Sequence, residues 1–271
     1  MTLSVLVNGA PPKDLTNALP LNDRGFQYGD GLFETARLEH GVVRFLGSHL
    51  ERLRTGCERL QIAPPDASVL EQEIKKVTAN LRSAVVKIIV TRGVGARGYR
   101  PSSAGLATRV VASYAAPDIE SDRMLSIRWC ETRLGRNERL AGIKHLNRLE
   151  QVLAQAEWHD VSIDEGLMLD TEGELVCGTA SNVFLVREGM LLTPDLRYCG
   201  VRGVMRGQVL RAAGQLGIAV SEEPLWPHDV EAAEEVFLTN AVRGIRPVRV
   251  LGTKEWTRRE VANAFKAALR A

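Results

Sequence analysis

From Leu32 to Leu38 the chain reads Leu-Phe-Glu-Thr-Ala-Arg-Leu, followed by Glu39, the pair His40-Gly41 and the run Val42-Val43-Arg44. A period of two marks a strand with two unlike faces, and His-Gly between two such runs marks a hairpin turn. One face of the first strand carries Phe33, Thr35 and Arg37. Other β-rich runs follow: "LSVLV" at the start with a turn at Asn8-Gly9, then "AVVKIIVTRG" and "ATRVVASYA", and later "LSIRWC", "EGLMLD", "NVFLV", "MLLTP" and "EVFLTN". Between them lie helical patterns. "GSHLERLRTGCERL" predicts a helix with Ser48 as N-cap and Leu50, Leu53, Cys57 and Leu60 on its buried stripe. "VLEQEIKKVTANL", the segment after Lys144, "GVMRGQVLRAAGQL" and a C-terminal stretch from about Glu255 predict four more. Strands and helices mix without strict βαβ alternation, which predicts an α+β fold with mixed sheets and flanking helices.

A chain of 271 residues is comfortable for two domains. "PDIESD", 117–122, is polar and carries breakers, so the expected division is a smaller N-terminal domain (1–116), a linker (117–122) and a larger C-terminal domain (123–271). The net charge of +2 gives no general pull toward nucleic acid or membrane. No segment approaches the roughly 20 apolar residues of a membrane helix, and the N-terminus lacks the charged and apolar regions of a signal peptide. Cys57, Cys130, Cys177 and Cys199 form no CxxC pair. That spacing predicts no metal site and a reducing compartment, so a cytoplasmic protein is expected.

Five stretches could carry chemistry. Lys144 sits among Leu140, Ile143 and Leu146, with His145 and Arg148 beside it and no acid closer than Glu150. Burial and nearby cations lower a lysine pKa, as a Schiff-base lysine requires. The same pattern suits a surface lysine whose stem packs on the core. "GVRGVMRGQVL" places glycines before a helix start whose N–H groups at Val204 and Met205 could cup a phosphate, although a loop-to-helix junction needs glycine too. His49 and Arg52 share a helix face, where Arg52 could fork onto a phosphate or simply meet solvent. "TRGVGARGYRP" offers Arg97 and Tyr99 for a carboxylate; its Arg/Gly content also suits nucleic acid, but the loop is short. Asn240 and the Ala241 N–H follow a buried strand, where either a ligand group or an Asn turn fits. A masked amine, phosphate cups and arginines for acids together fit a pyridoxal phosphate enzyme.

The motifs "DRGFQYGDGLFETAR" (23–37), "HLERL" (49–53), "TRGVGARGY" (91–99), "GIKHLNRLEQ" (142–151), "ASNVFLV" (180–186) and "GVRGVMR" (200–206) stand in an order that resembles the fold-type IV pyridoxal-phosphate enzymes, the D-amino acid and branched-chain aminotransferase group. Within that group, residues 133–157 are most similar to the lyases of 4-amino-4-deoxychorismate, which release p-aminobenzoate and pyruvate for folate synthesis. The resemblance implies pyridoxal 5'-phosphate as cofactor, a homodimer, and Lys144 as Schiff-base lysine and proton-transfer base. It implies Arg52, Val204, Met205, Asn240 and Ala241 around the cofactor phosphate. It implies Phe33, Arg97 and Tyr99 in the substrate site, with Thr35 or Arg37 as further carboxylate contacts. Phe33 stands where the D-amino acid enzymes have a tyrosine, which argues against an ordinary D-amino acid substrate. In the family a glutamate five residues before the asparagine of "SNVF" holds the protonated pyridine nitrogen; here that position is Cys177. Glu174 would face the other side of a regular strand, unless a bulge turns it. Loss of that acid harms a transaminase more than a lyase whose product gains aromaticity.

Overall fold

The structure, a computed structural model, describes residues 1–101, 106–118 and 123–269. The chain divides into two compact units: Met1–Asp118 with Ile143–Asn147, and Ile119–Gly142 with Arg148–Ala271. Most of the expected linker, 119–122, lies outside the described residues.

The first unit contains β1 (Thr2–Val7), α1 (Arg24–Tyr28), β2 (Gly31–Glu39), β3 (Val42–Val43), α2 (Leu46–Leu60), α3 (Ala67–Val77), β4 (Ser83–Thr91) and β5 (Thr108–Tyr114). Its antiparallel sheet has the order β1-β5-β4-β2-β3. The hairpin of the alternating run forms as read, with His40 and Gly41 both at positive φ, 51° and 81°. Alternation sorts β2 cleanly: Leu32, Glu34, Ala36 and Leu38 are buried, whereas Phe33, Thr35 and Arg37 are half-buried. Each large apolar side chain on the buried face stabilises the unit by roughly 1.5–3 kcal/mol.

Two details of α2 differ from the expectation. The helix starts at Leu46 behind Phe45, whose φ of 53° ends the preceding loop, and no side chain caps it. Ser48 therefore lies inside the first turn. The buried stripe is His49, Leu53, Gly56 and Cys57, and Leu50 and Leu60 are only half-buried. The helix is rotated toward His49 because that ring has a buried partner on β2.

The second unit contains β6 (Leu125–Trp129), α4 (Leu149–Gln155), β7 (Glu165–Leu169), β8 (Leu175–Gly178), β9 (Asn182–Arg187), β10 (Met190–Pro194), α5 (Val204–Leu216), β11 (Val220–Glu223), α6 (Pro227–Ala232), β12 (Glu235–Asn240), β13 (Gly244–Leu251), β14 (Lys254–Glu255) and α7 (Glu260–Ala268). One mixed sheet runs β11-β10-β9-β12-β13-β6-β7-β8, with β14 on β13. Its core gathers Leu167, Leu185, Leu225, Val236 and Val248, all at most 1% exposed. The last helix begins at Glu260 rather than near Glu255. Residues 254–255 pair with β13, and Trp256 is buried with Nε1 donating to the Ala233 carbonyl, so the chain is held there before the helix starts.

Candidate active site

Lys144 is placed by strand pairing. The N–H of Phe33 donates to the Lys144 carbonyl and that of Leu146 to the Gly31 carbonyl, each at 2.9 Å, with Leu32 facing His145 antiparallel. Residues Ile143–Asn147 thus extend the sheet of the first unit alongside the start of β2, although sequence order puts them with the second half. Gly31 makes this possible: a Cβ there would stand 2.5 Å from the Val90 carbonyl oxygen and 2.9 Å from Leu146. The result seats the half-buried Lys144 with Nζ 4.3 Å from the centroid of the Phe33 ring. The face of an aromatic ring attracts a cationic amine.

On the opposite face of β2, Glu34 is 1% exposed. It accepts from Arg52 Nε at 2.7 Å and Nη2 at 2.5 Å, and lies 2.6 Å from His49 Nδ1. Burial favours its neutral form, but the Arg52 guanidinium and His49 outweigh this and hold the carboxyl below the usual range. An ionised acceptor places a proton on Nδ1 of His49, leaving Nε2 buried with no partner. Arg52 is thereby oriented from behind by a fixed carboxylate. Arg97 and Tyr99 lie on an exposed loop whose backbone is tied down by Arg24 through the Gly98 and Tyr99 carbonyls; Tyr99 stands edge-on to Tyr28.

In the second unit, Val204 and Met205 open α5, where N–H groups have no intrahelical acceptor. Their loop is fixed by Asn182, which accepts from the Gly203 N–H at 3.1 Å and donates to the Val201 carbonyl at 2.8 Å. No side chain caps the helix, and a Cβ on Gly203 would lie 2.1 Å from Asn182 Oδ1. A bare helix start with the backbone brought this close suits an anion such as a phosphate. The Asn240 side chain closes its own turn, accepting from the Val242 and Arg243 N–H groups, and donates to Ser181 Oγ at 3.2 Å. Ser181 in turn donates to Glu165 at 2.8 Å, and the Ala180 N–H donates to the same carboxylate. Burial raises the Glu165 pKa, while those two bonds and Arg243 oppose the rise. This chain from Asn240 to Glu165 sets the 179–182 loop.

Cys177 on β8 is buried in an apolar cluster with Met168, Val176 and Cys199. Burial pushes its thiol up to about 12; Cys199 and Glu165 add to the rise and Arg148 opposes it. The thiol is therefore neutral at physiological pH. The strand does bulge beside it, since the register shifts between Met168 and Leu169. Glu174 nevertheless pairs with Arg136 at 3.0 Å, next to the Asp170 pair at 2.7 Å.

The structure brings Lys144 and Phe33 together in the first unit and puts Val204 and Met205 at the start of α5; Glu34, Glu165 and the clamp of Asn182 on the α5 loop were not among the residues singled out from the sequence. Glu34 carried a legible signal: an acid on the otherwise apolar face of an alternating strand must find a partner.

These features belong together in one protein class. Residues 31–251 match the model of the amino-transferase class IV family, and the chain belongs to that family of pyridoxal-phosphate-dependent enzymes. The chain is similar to the crystal structure of 4-amino-4-deoxychorismate lyase from Pseudomonas aeruginosa, with a TM-score of 0.92, 42% identity and 98% of each chain covered. It is 34% identical to aminodeoxychorismate lyase of Vibrio harveyi over 92% of each chain. It is 27% identical to D-alanine aminotransferase of Bacillus licheniformis over 91% of this chain and 87% of that one. Among the described residues no helix is long and apolar enough to cross a membrane.

Proposed function

We propose that this chain is a lyase that converts 4-amino-4-deoxychorismate to p-aminobenzoate and pyruvate, acting as a cytoplasmic homodimer. The observation that carries this reading is the seat of Lys144 on Phe33, inside the run "GIKHLNRLEQ". Bound pyridoxal phosphate would supply an electron sink for the charge left when a proton departs from an amine-bearing carbon.

The protein's own residues would do the rest. Lys144 would hold the cofactor covalently through Nζ, and as a free amine that Nζ would take the proton from C4 and return one to the departing enolpyruvyl group. Arg52, held by Glu34, and the N–H groups of Val204, Met205 and Ala241 serve the phosphate, with Asn240 shaping the last of these. Cys177 serves the pyridine nitrogen as a neutral neighbour. Phe33 forms the floor under the amine, and Thr35, Arg97 and Tyr99 contact the substrate carboxylates.

A transaminase of the same fold is the second reading, favoured by the likeness to D-alanine aminotransferase. The neutral thiol at Cys177 weighs against it. One experiment separates them: the purified protein is given enzymatically made aminodeoxychorismate with no amino acceptor, and p-aminobenzoate fluorescence and pyruvate are followed. Both products should appear in equal amounts, and Lys144→Ala should abolish them along with the visible cofactor absorbance. Product formation that requires a keto acid would sink the lyase reading.

A further inference from the structure

We propose that Lys87 is a substrate-binding residue whose ammonium receives a carboxylate of the substrate beside Lys144. Lys87 lies on β4 directly opposite Thr35 of β2. Both belong to the half-buried face of the sheet that carries Phe33. Its Nζ stands 5.3 Å from the centroid of the Phe33 ring, the ring that holds Lys144 Nζ at 4.3 Å. One aromatic ring therefore gathers two lysine amines from different parts of the chain.

The surroundings of Lys87 set it apart from the other cations of this sheet. Arg37, two residues along the same face, is engaged by Glu39 and the Pro117 carbonyl. Arg92 and Arg24 share Asp30, and Arg109 is forked onto Glu73. Among the described residues no carboxylate lies within ion-pair distance of Lys87. A half-buried cation is costly to leave unpaired. A ring face attracts it without neutralising it, so the charge stays available to an incoming anion. Thr35, its cross-strand neighbour, adds a hydroxyl at the same spot.

The inference rests on the reading of Lys144 as the reacting amine, and it assigns a carboxylate-bearing ligand to the space over Phe33. The test uses the cofactor-loaded enzyme and two probes of the same shape, p-aminobenzoate and its uncharged amide, with affinities measured by calorimetry. The wild type should prefer the carboxylate by about tenfold or more, the value of one charge-assisted hydrogen bond. Lys87→Gln should erase that preference and leave amide binding unchanged, and Lys87→Arg should restore most of it. In turnover, Lys87→Gln should raise KM by a similar factor with kcat little affected. Lys87→Met, which keeps the apolar stem, replaces the Gln variant if the latter loses its fold or cofactor absorbance. The proposal is overturned if the wild type shows no preference for the carboxylate, or if a folded Gln or Met variant keeps it. A wild type that prefers the carboxylate yet makes no pyruvate would overturn the lyase reading alone.

Discussion

Glu34→Gln tests how Arg52 is held. Glu34 is 1% exposed and takes a fork from Arg52 as well as His49 Nδ1. The substitution keeps the shape but removes the negative charge, and it puts an amide N–H where one of the two accepting oxygens stood. Removing one partner of a buried pair costs about 3–5 kcal/mol. The Arg52 side chain is 13% exposed, so solvent recovers part of its charge and the lower end, about 3 kcal/mol, applies here. For a chain of this size about 2–4 °C of Tm accompanies each kcal/mol, so Tm should fall by about 6–12 °C. Thermal unfolding of the cofactor-free protein, followed by circular dichroism, isolates this effect from cofactor binding. The pH dependence gives a second arm. A carboxyl held below its unfolded value contributes stability above that value, about 4.3, and loses it as pH falls through the lower folded value. The gap between wild type and variant should thus be full at neutral pH and close in acid. The double variant Glu34→Leu, Arg52→Met should regain most of the stability, because apolar replacement of both partners is often neutral. It should not regain cofactor affinity. A Glu34→Gln protein within about 1 kcal/mol of wild type at neutral pH would refute the reasoning, since the carboxylate would then be no more than a spacer.

Two further outcomes follow from the geometry. Gly203→Ala should weaken cofactor binding by about tenfold or more in an absorbance titration: its Cβ would meet the doubly bonded, buried Asn182 at 2.1 Å and displace the first turn of α5; unchanged affinity would remove α5 from the phosphate site. All four cysteines are buried, with their thiols pushed up to about 12 mainly by burial, so the native protein should take no thiol label at pH 8 and the unfolded protein four equivalents; rapid labelling of native protein would contradict the packing around Cys177.

Much of the fold was legible because it follows from local periodicity. Alternation gave β2 with its turn and faces, and glycine at Gly203 marked the start of α5. What escaped depends on pairing over long sequence separation. Nothing in "GIKHLN" has strand period, and its partner Leu32 lies more than a hundred residues earlier, so the joining of Ile143–Asn147 to the first unit has no local cause. The Ser48 cap and the Leu50 and Leu60 stripe failed for a related reason. Helix phase was set by the pull of Glu34 on His49 and Arg52, a tertiary contact that overrides propensity. Lys87 escaped because its meaning lies in what it lacks, a paired acid, and only coordinates reveal that.

The buried ionisable groups also bear on which reaction the proposed site can run. Glu34 is kept charged by cations, whereas Glu165 is shifted toward its neutral form and Cys177 is held neutral outright. Glu174, the acid nearest Cys177 in sequence, precedes β8 and is committed to Arg136. On the proposed reading, a carboxylate stands behind the phosphate-binding arginine, whereas the side chain offered to the pyridine nitrogen is a neutral thiol. A nitrogen with no anion beside it is less firmly protonated, and the ring then accepts charge less readily. A transaminase depends on that acceptance in both of its half-reactions. An elimination that ends in an aromatic ring has a driving force of its own and tolerates the weaker sink, and this is why a cysteine at this position is compatible with the lyase.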